Sequence, residues 1–545
     1  MDMRLESLET QFVARTMEFH PGLAIAAGMH QHDESLEDLS RERIEGFCAE
    51  LDGLRAAALA LDRLSGEDAA EREIFIARID SLLFDYRRLE SWRRDPYSYA
   101  DILSSQLNMV LIFDYAPVEE RLKAVVAKEK LIPRFVERAR QNLVPTAPML
   151  VHYGIRGAEG ALSLVRKDLP AIFGGAGSPA LGREFESSTE LAAKALEDYI
   201  EWLGSGEMDG DDGAYALGRE IYAGWLAAGE QITTPIEDLE SWALAAIDEH
   251  REAIRREAAR IDASADPAVI VEKITADHPA TGKVVAETTR IAEEIHEWVR
   301  KSGLVTFPTE DRVLIADTPD FMRWSFGSMW TPGTFEKPSV RATFYATDAD
   351  PSWPVEKQQE HLTAFCYRGL ENLAIHEAYP GHFIQGLHQN RVASPVRKTF
   401  WWGVFGEGWA HYCEQLAVEE GFGGGAPEVR IIQLQEALNR LCRFVNGIRL
   451  HTQPGWDFEK GTKFFKEKAW LAEAVARAEC ERGAFDPFYL RYTLGKKLIL
   501  ELREECRRRL GARFDLRNFH DTLLGLGSGP MPGLARLTRL KLGMV

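Results

Sequence analysis

Two histidines and a glutamate fall within one short stretch, "NLAIHEAYPGHFIQG", residues 372–386. His376 is followed at once by Glu377, and His382 comes after a Pro-Gly step at Pro380 and Gly381. Imidazole nitrogens beside a carboxylate suit a bound zinc ion and a general base, and the common helical spacing for such a pair is four residues. Here it is six. A six-residue step turns about 600° on a regular helix, roughly 120° short of registry, so an unbroken helix would point the two rings apart. Pro380 cannot donate to the carbonyl of residue 376 and disfavours helical geometry at Tyr379, while Gly381 accepts backbone angles that other residues avoid. A two-residue bulge at Pro-Gly would return His382 to the place of an i+4 histidine.

A catalytic zinc takes three protein ligands and keeps a position for water. The best source of the third is "WWGVFGEGWAHYCEQLAVEEGF", where Glu407, His411 and Glu414 stand at i, i+4 and i+7 on one helix face. Solvated helix faces also carry charges at this spacing, but Trp401, Trp402, Phe405 and Trp409 make this a poor face for solvent. Glu407 is the preferred ligand because its glycine neighbours allow close approach. His411 or Glu414 then orients a ligand histidine from the second shell. Zinc is the default for a His-His-Glu set, although affinity order alone does not choose the metal.

These residues need helices to carry them, and the chain reads as mainly α. Leu362, Phe365, Cys366, Leu370 and Leu373 form an apolar stripe that His376 continues, so His376 points inward, where an unpaired imidazole is costly. A lone inward histidine would be satisfied by a carbonyl or carboxylate; Glu377 and His382 favour the metal. In "AEREIFIARIDSLLFDYRRLESW", Phe75, Ile79, Leu82, Tyr86 and Leu89 recur at steps of four and three. The glycine-rich acidic stretch at 204–214 reads as an exposed loop. Between about 303 and 352 the texture changes: "RVLIADTP" and "SVRATFYATD" read as strands, the second alternating Val340, Ala342, Phe344, Ala346 against Arg341, Thr343, Tyr345, Thr347. The expected architecture is a two-lobed helical shell around a deep cleft, with a small sheet next to the active-site helix. The expected division is a helical lobe over 1–300 and a catalytic lobe over 301–545.

Composition narrows the function classes. A chain of 545 residues, 45% hydrophobic with thirteen tryptophans, exceeds one core and is not disordered. A net charge of -20 argues against a nucleic-acid partner. No segment approaches the roughly twenty apolar residues of a membrane span, and the first residues lack a signal-peptide pattern. Six cysteines lie far apart with no C-x-x-C pair, so free thiols and a cytoplasmic location are expected.

"HEAYPGHFIQ" followed by "EGWAHYCEQLA", with "LAIAAGMHQHDESLEDLS" near the start, resembles the bacterial domain-of-unknown-function family 885 over nearly the whole chain. That family is similar to the glutamate-ligand, gluzincin-like zinc metallopeptidases. The resemblance implies His376, His382 and Glu407 as ligands and Glu377 as base. In "DPFYLRYTLGKKLILELREE", Tyr492 and Tyr489 are candidates to stabilise an oxyanion. The family carries a tyrosine shortly before a similar glycine-lysine, which favours Tyr492; "PFY" stands here where the family usually has Pro-Gly-Gln.

The chemistry expected is metal-assisted hydrolysis with Glu377 moving the proton. The strand at 340–348 is a candidate edge for an extended substrate. Arg491, Lys496, Lys497 and Arg503 are candidates to clamp a substrate carboxylate, or else face solvent. The function expected is a zinc-dependent peptidase acting on short oligopeptides. The alternatives are a zinc hydrolase or lyase acting on a small non-peptide molecule, and an inactive helical binding protein. A short peptide or small molecule is the expected partner, with neither nucleic acid nor membrane.

Overall fold

Apolar residues at steps of three and four build helices along almost the whole chain. The computed structural model describes residues 1–319, 322–323, 327–337 and 340–544, and helices dominate it. It divides into two compact units. The first comprises Met1–Leu217, Pro332–Arg341 and Ser394–Thr399; the second comprises Gly218–Thr331, Ala342–Ala393 and Phe400–Val545.

The main helices of the first unit are α1 (Met3–Phe19), α2 (Arg41–Leu59), α3 (Gly66–Phe84), α4 (Pro96–Ile112), α5 (Val118–Asn142), α6 (Pro148–Ser163) and α7 (Pro179–Leu203). Asp2, Ser40, Asp95 and Ser178 cap α1, α2, α4 and α7, their side chains accepting from otherwise unpaired first-turn N–H groups. α3 buries Phe75, Ile79 and Leu82, and the π-turn that follows buries Tyr86.

The division falls at 217/218 rather than near 300. The glycine-rich stretch before it is partly pinned: Met208 is buried, its carbonyl accepts from Thr146 N at 3.0 Å, and Gly210 N donates to Thr146 O at 2.7 Å. Helical patterns resume on both sides of the loop at 204–218, so local pattern could not show where the next helices find their partners.

In the second unit the helices used below are α8 (Ile236–Ile261), α9 (Val284–Ser302), α10 (Val355–Thr363), α11 (Tyr367–Glu377), α12 (His382–Gln389), α13 (Gly403–Glu419), α14 (Pro427–Thr452) and α15 (Arg491–Leu510). The strands are β1 (Leu314–Asp317), β2 (Gly327–Trp330) and β3 (Thr343–Ala346). α8 packs along α14, and α13 packs along α15. α11 lies against α9, α13, α14 and β2, so the helix that carries His376 is enclosed by its own unit. α13 and α15 cross closely because two glycines meet there. A Cβ on Gly408 would stand 2.5 Å from Gly495 Cα, and one on Gly495 would stand 1.8 Å from Val404 O.

The apolar stripe leading to His376 is interrupted. α10 ends at Thr363 and α11 begins at Tyr367, with the Cys366 thiol accepting from Gly369 N at 3.2 Å. Leu362, Phe365, Cys366 and Leu370 are buried nonetheless.

The sheet has the order β1-β3-β2, with β1 parallel and β2 antiparallel to β3. β3 is therefore central and pairs on both sides, which corrects its assignment as a substrate-binding edge. Its start was set too early as well: Arg341 precedes the strand, and Ser339 lies outside the described residues. Its neighbour β2 is the strand against α11, where Gly327 stands close to Leu373. Among the described residues no helix is long and apolar enough to cross a membrane. The six cysteines are free and buried.

Candidate metal centre

The Pro-Gly step breaks the helix outright instead of bulging it. α11 ends at Glu377, and α12 begins at His382. The turn between them is held from several sides. Tyr379 N donates to Ala374 O at 3.2 Å, Gly381 N donates to Ile375 O at 3.1 Å, and Trp409 Nε1 reaches in from α13 to Pro380 O at 2.9 Å. The Tyr379 hydroxyl accepts from Val313 N at 3.1 Å, and the Tyr379–Pro380 bond is cis. Gly381 has a φ of -69°, so left-handed geometry is not what demands glycine. Close approach demands it: a Cβ there would lie 1.8 Å from His376 O. Folding the chain this tightly places the start of α12 beside the end of α11.

His376, His382 and Glu407 come together as a result. Glu407 Oε2 lies 3.6 Å from His376 Nε2 and 3.5 Å from His382 Nε2. Two donors each roughly 2.0–2.1 Å from one tetrahedral zinc lie about 3.4 Å apart, so these spacings fit a zinc ion. Among the described residues this is the one group of three or more histidine, cysteine or acidic side chains with ligand atoms mutually within 4.8 Å. The glycines beside Glu407 serve packing, because Gly408 meets Gly495 and Gly406 lies under the Trp401 ring, where a Cβ would stand 1.9 Å from Cζ2.

Behind the donors stands a buried carboxylate. Glu414 Oε1 lies 2.7 Å from His376 Nδ1, and its Oε2 lies 3.1 Å from His411 Nδ1. An ionised carboxylate only accepts, so His376 carries its hydrogen on Nδ1 and presents Nε2 to Glu407. Glu414 therefore orients His376, while His411 acts one step further back, on Glu414. Burial alone would raise the Glu414 pKa, but Arg440, at 3.3 Å, leads the two histidines in holding it well below the ordinary range. Burial likewise pulls the His376 imidazolium down, yet Glu407 and Glu414 outweigh it and raise its pKa to about 9. His376 and His382 hold Glu407 well below its usual value against its own burial. His382 Nδ1 lies 3.3 Å from Gln385 Oε1 on the next turn.

Glu377 is buried at the end of α11, with no hydrogen bond or ion pair among the described residues. Tyr492 stacks on His376, with ring centroids 6.4 Å apart, and Glu407 is among the charges acting on its hydroxyl. That hydroxyl has no partner among the described residues. Tyr489 is committed elsewhere, its hydroxyl 3.4 Å from Glu479 and its ring covered by Arg443 and Arg482.

The four cations on α15 do not converge on one carboxylate site. Arg491 pairs with Asp486, Lys497 with Glu501, and buried Arg503 with Glu419 and the Tyr412 hydroxyl. Lys496 is buried without a partner for its ammonium. Sequence reasoning missed Arg440, Gln385 and the turn-holding role of Trp409. Arg440 sits within the apolar pattern of a long helix and carries no local signal. Trp409 had one in its place two residues after Glu407.

A family model described as bacterial protein of unknown function (DUF885) matches residues 21–537. The chain belongs to this family. Two solved structures are similar to this DUF885 protein along almost their full length. One is a "putative lipoprotein of unknown function" from Shewanella oneidensis, 23% identical, with a TM-score of 0.82, covering 98% of this chain and 99% of that one. The other is a "putative lipoprotein" from Colwellia psychrerythraea, 19% identical, with a TM-score of 0.82, covering 99% of each chain. At these identities the likeness is one of fold. No curated protein matches the DUF885 chain.

Proposed function

We propose that this protein is a zinc-dependent peptidase of gluzincin-like chemistry that hydrolyses short oligopeptides. The observation that carries the reading is the His376, His382 and Glu407 donor set at zinc-compatible spacing, with an uncommitted carboxylate, Glu377, next to a ligand. A zinc ion held there supplies Lewis acidity to a carbonyl and makes water a better nucleophile near neutral pH. Glu377 takes the proton of the attacking water and passes it to the leaving amine nitrogen. The free Tyr492 hydroxyl donates to the oxygen on which negative charge develops. Glu414 keeps His376 in one tautomer and one orientation throughout.

A second reading, hydrolysis of a small non-peptide molecule, is favoured by the pairing of β3 on both sides, which denies an extended peptide that edge. A peptide could still pair with β2, the strand beside α11. The two structural neighbours carry the description "putative lipoprotein", which does not suit a cytoplasmic location. The chemistry is the same in either compartment.

The test is cleavage of a diverse peptide library by zinc-loaded protein, with Glu377→Gln alongside. Turnover falling by roughly 10²–10⁴ in the variant, at unchanged zinc content, supports the peptidase. No cleavage of any peptide by the zinc-loaded wild type sinks it.

A further inference from the structure

His411, which bonds Glu414, also lines a cavity of about 80 Å³ together with Trp242, His250, Leu441, Thr493 and Lys496. Lys496 is 5% exposed, and its ammonium has no hydrogen-bond partner; neither has the buried Thr493 hydroxyl. An ammonium left dry and unpaired is among the costlier groups a fold can hold. Glu414 and Glu419 act on it against Arg430 and Arg440, and none of the four bonds it. Burial pushes its pKa down to about 8.

Of the other polar groups on the lining, Lys497 pairs with Glu501 and Gln415 donates to Glu419, so the two histidines restrict the ligand further. His411 Nδ1 is spent on Glu414 at 3.1 Å and His250 Nδ1 on Ala246 O at 2.8 Å, so each ring has Nε2 left to offer. Burial lowers both imidazolium pKa values, so the rings are neutral and Nε2 is an acceptor. A complementary ligand carries one negative charge, oxygens that accept from Lys496 and Thr493, and an O–H that donates to an imidazole. Water lacks the charge, and a halide lacks the O–H. About 80 Å³ open to the centres of water-sized spheres exceeds the roughly 10–15 Å³ that one water needs, so an ion of four heavy atoms has room.

We propose that this cavity binds hydrogencarbonate, or a monoanionic oxyanion of that size bearing one O–H. None of the lining residues is a candidate zinc ligand, so the site stands whether or not the protein is a peptidase. Through His411 and Glu414 it touches the group that orients His376, so an occupant would steady that chain of contacts.

The experiment is thermal denaturation of the full chain in sodium hydrogencarbonate against sodium chloride, at matched pH and ionic strength. It compares wild type, Lys496→Met, Thr493→Val and His382→Ala. Wild type should show a saturable rise in Tm with hydrogencarbonate and none with chloride. The midpoint concentration should rise roughly tenfold or more in Lys496→Met, the charge-assisted bonds being lost, and less in Thr493→Val. His382→Ala should keep the shift, which separates this cavity from the metal centre. No shift in wild type, or one unchanged in Lys496→Met, would mean that the cavity holds water only and overturns the assignment. An equal shift with chloride overturns the choice of ligand. Should Lys496→Met fail to fold, line broadening of ¹³C-labelled hydrogencarbonate by wild type and Thr493→Val decides, and equal broadening counts against the site.

Discussion

Gly381→Ala is the sharpest test of how the two histidines are brought together. The added Cβ would lie 1.8 Å from His376 O, 2.5 Å from His376 C and 2.5 Å from Ile375 O, all backbone atoms that no rotamer change can clear. Opening the closest contact from 1.8 Å to at least 3.0 Å needs a displacement of about 1.2 Å between the start of α12 and the end of α11. His376 and His382 sit on those two ends, at 3.6 and 3.5 Å from the shared Glu407 oxygen. A shift of about 1 Å at a reacting centre costs on the order of 10²-fold, so zinc affinity should fall about 100-fold, or ~2.7 kcal/mol. Crowding of this kind destabilises a fold by about 1–3 kcal/mol, too little to unfold a chain with a large core. The assay is competition for zinc against a chelating indicator, with circular dichroism confirming that helix content is retained. A Gly381→Ala protein that binds zinc within about threefold of wild type would refute the argument that close approach at this glycine sets the donor geometry.

Three further outcomes follow from the same site. Glu414→Gln should weaken zinc binding by about 10–100-fold while leaving the three ligands in place, as read by the same competition. In the metal-free chain the raised His376 pKa adds stability that is fully present below the ordinary value of 6.5 and is lost as pH rises through about 9. Zinc must displace that proton, so about one proton or more should be released per zinc bound at neutral pH, measured by titration calorimetry in buffers of different ionisation enthalpy. Tyr492→Phe should lower kcat by roughly 10²–10³, whereas Tyr489→Phe should cost about 1 kcal/mol of stability from its bond to Glu479 and leave kcat nearly unchanged. Equal losses of kcat in the two variants would remove Tyr492 from the oxyanion role.

Much of this protein was written locally. The helical face of Phe75, Ile79 and Leu82, the strand character of residues 343–346, and His376, Glu377, His382, Glu407 and Glu414 as the groups to watch all follow from residue type and spacing. Periods of 3.6 and 2 are properties of a few consecutive residues, so the sequence states them directly. The device between the histidines was only half legible: Pro380 and Gly381 announce a break, but whether the helix bulges or ends depends on the Trp409 indole and the Val313 amide arriving from elsewhere.

Tertiary structure alone decided which partners each element met. It set the division at 217/218 and made β3 central instead of an edge. It also gave Tyr489 to Glu479 and left Tyr492 beside His376. Arg440 behind Glu414 and the unpaired ammonium of Lys496 belong here too, since each depends on a side chain far away in the chain. Contacts between residues distant in sequence are fixed by how apolar faces of different elements fit together, and the spacing within any one element does not record that fit.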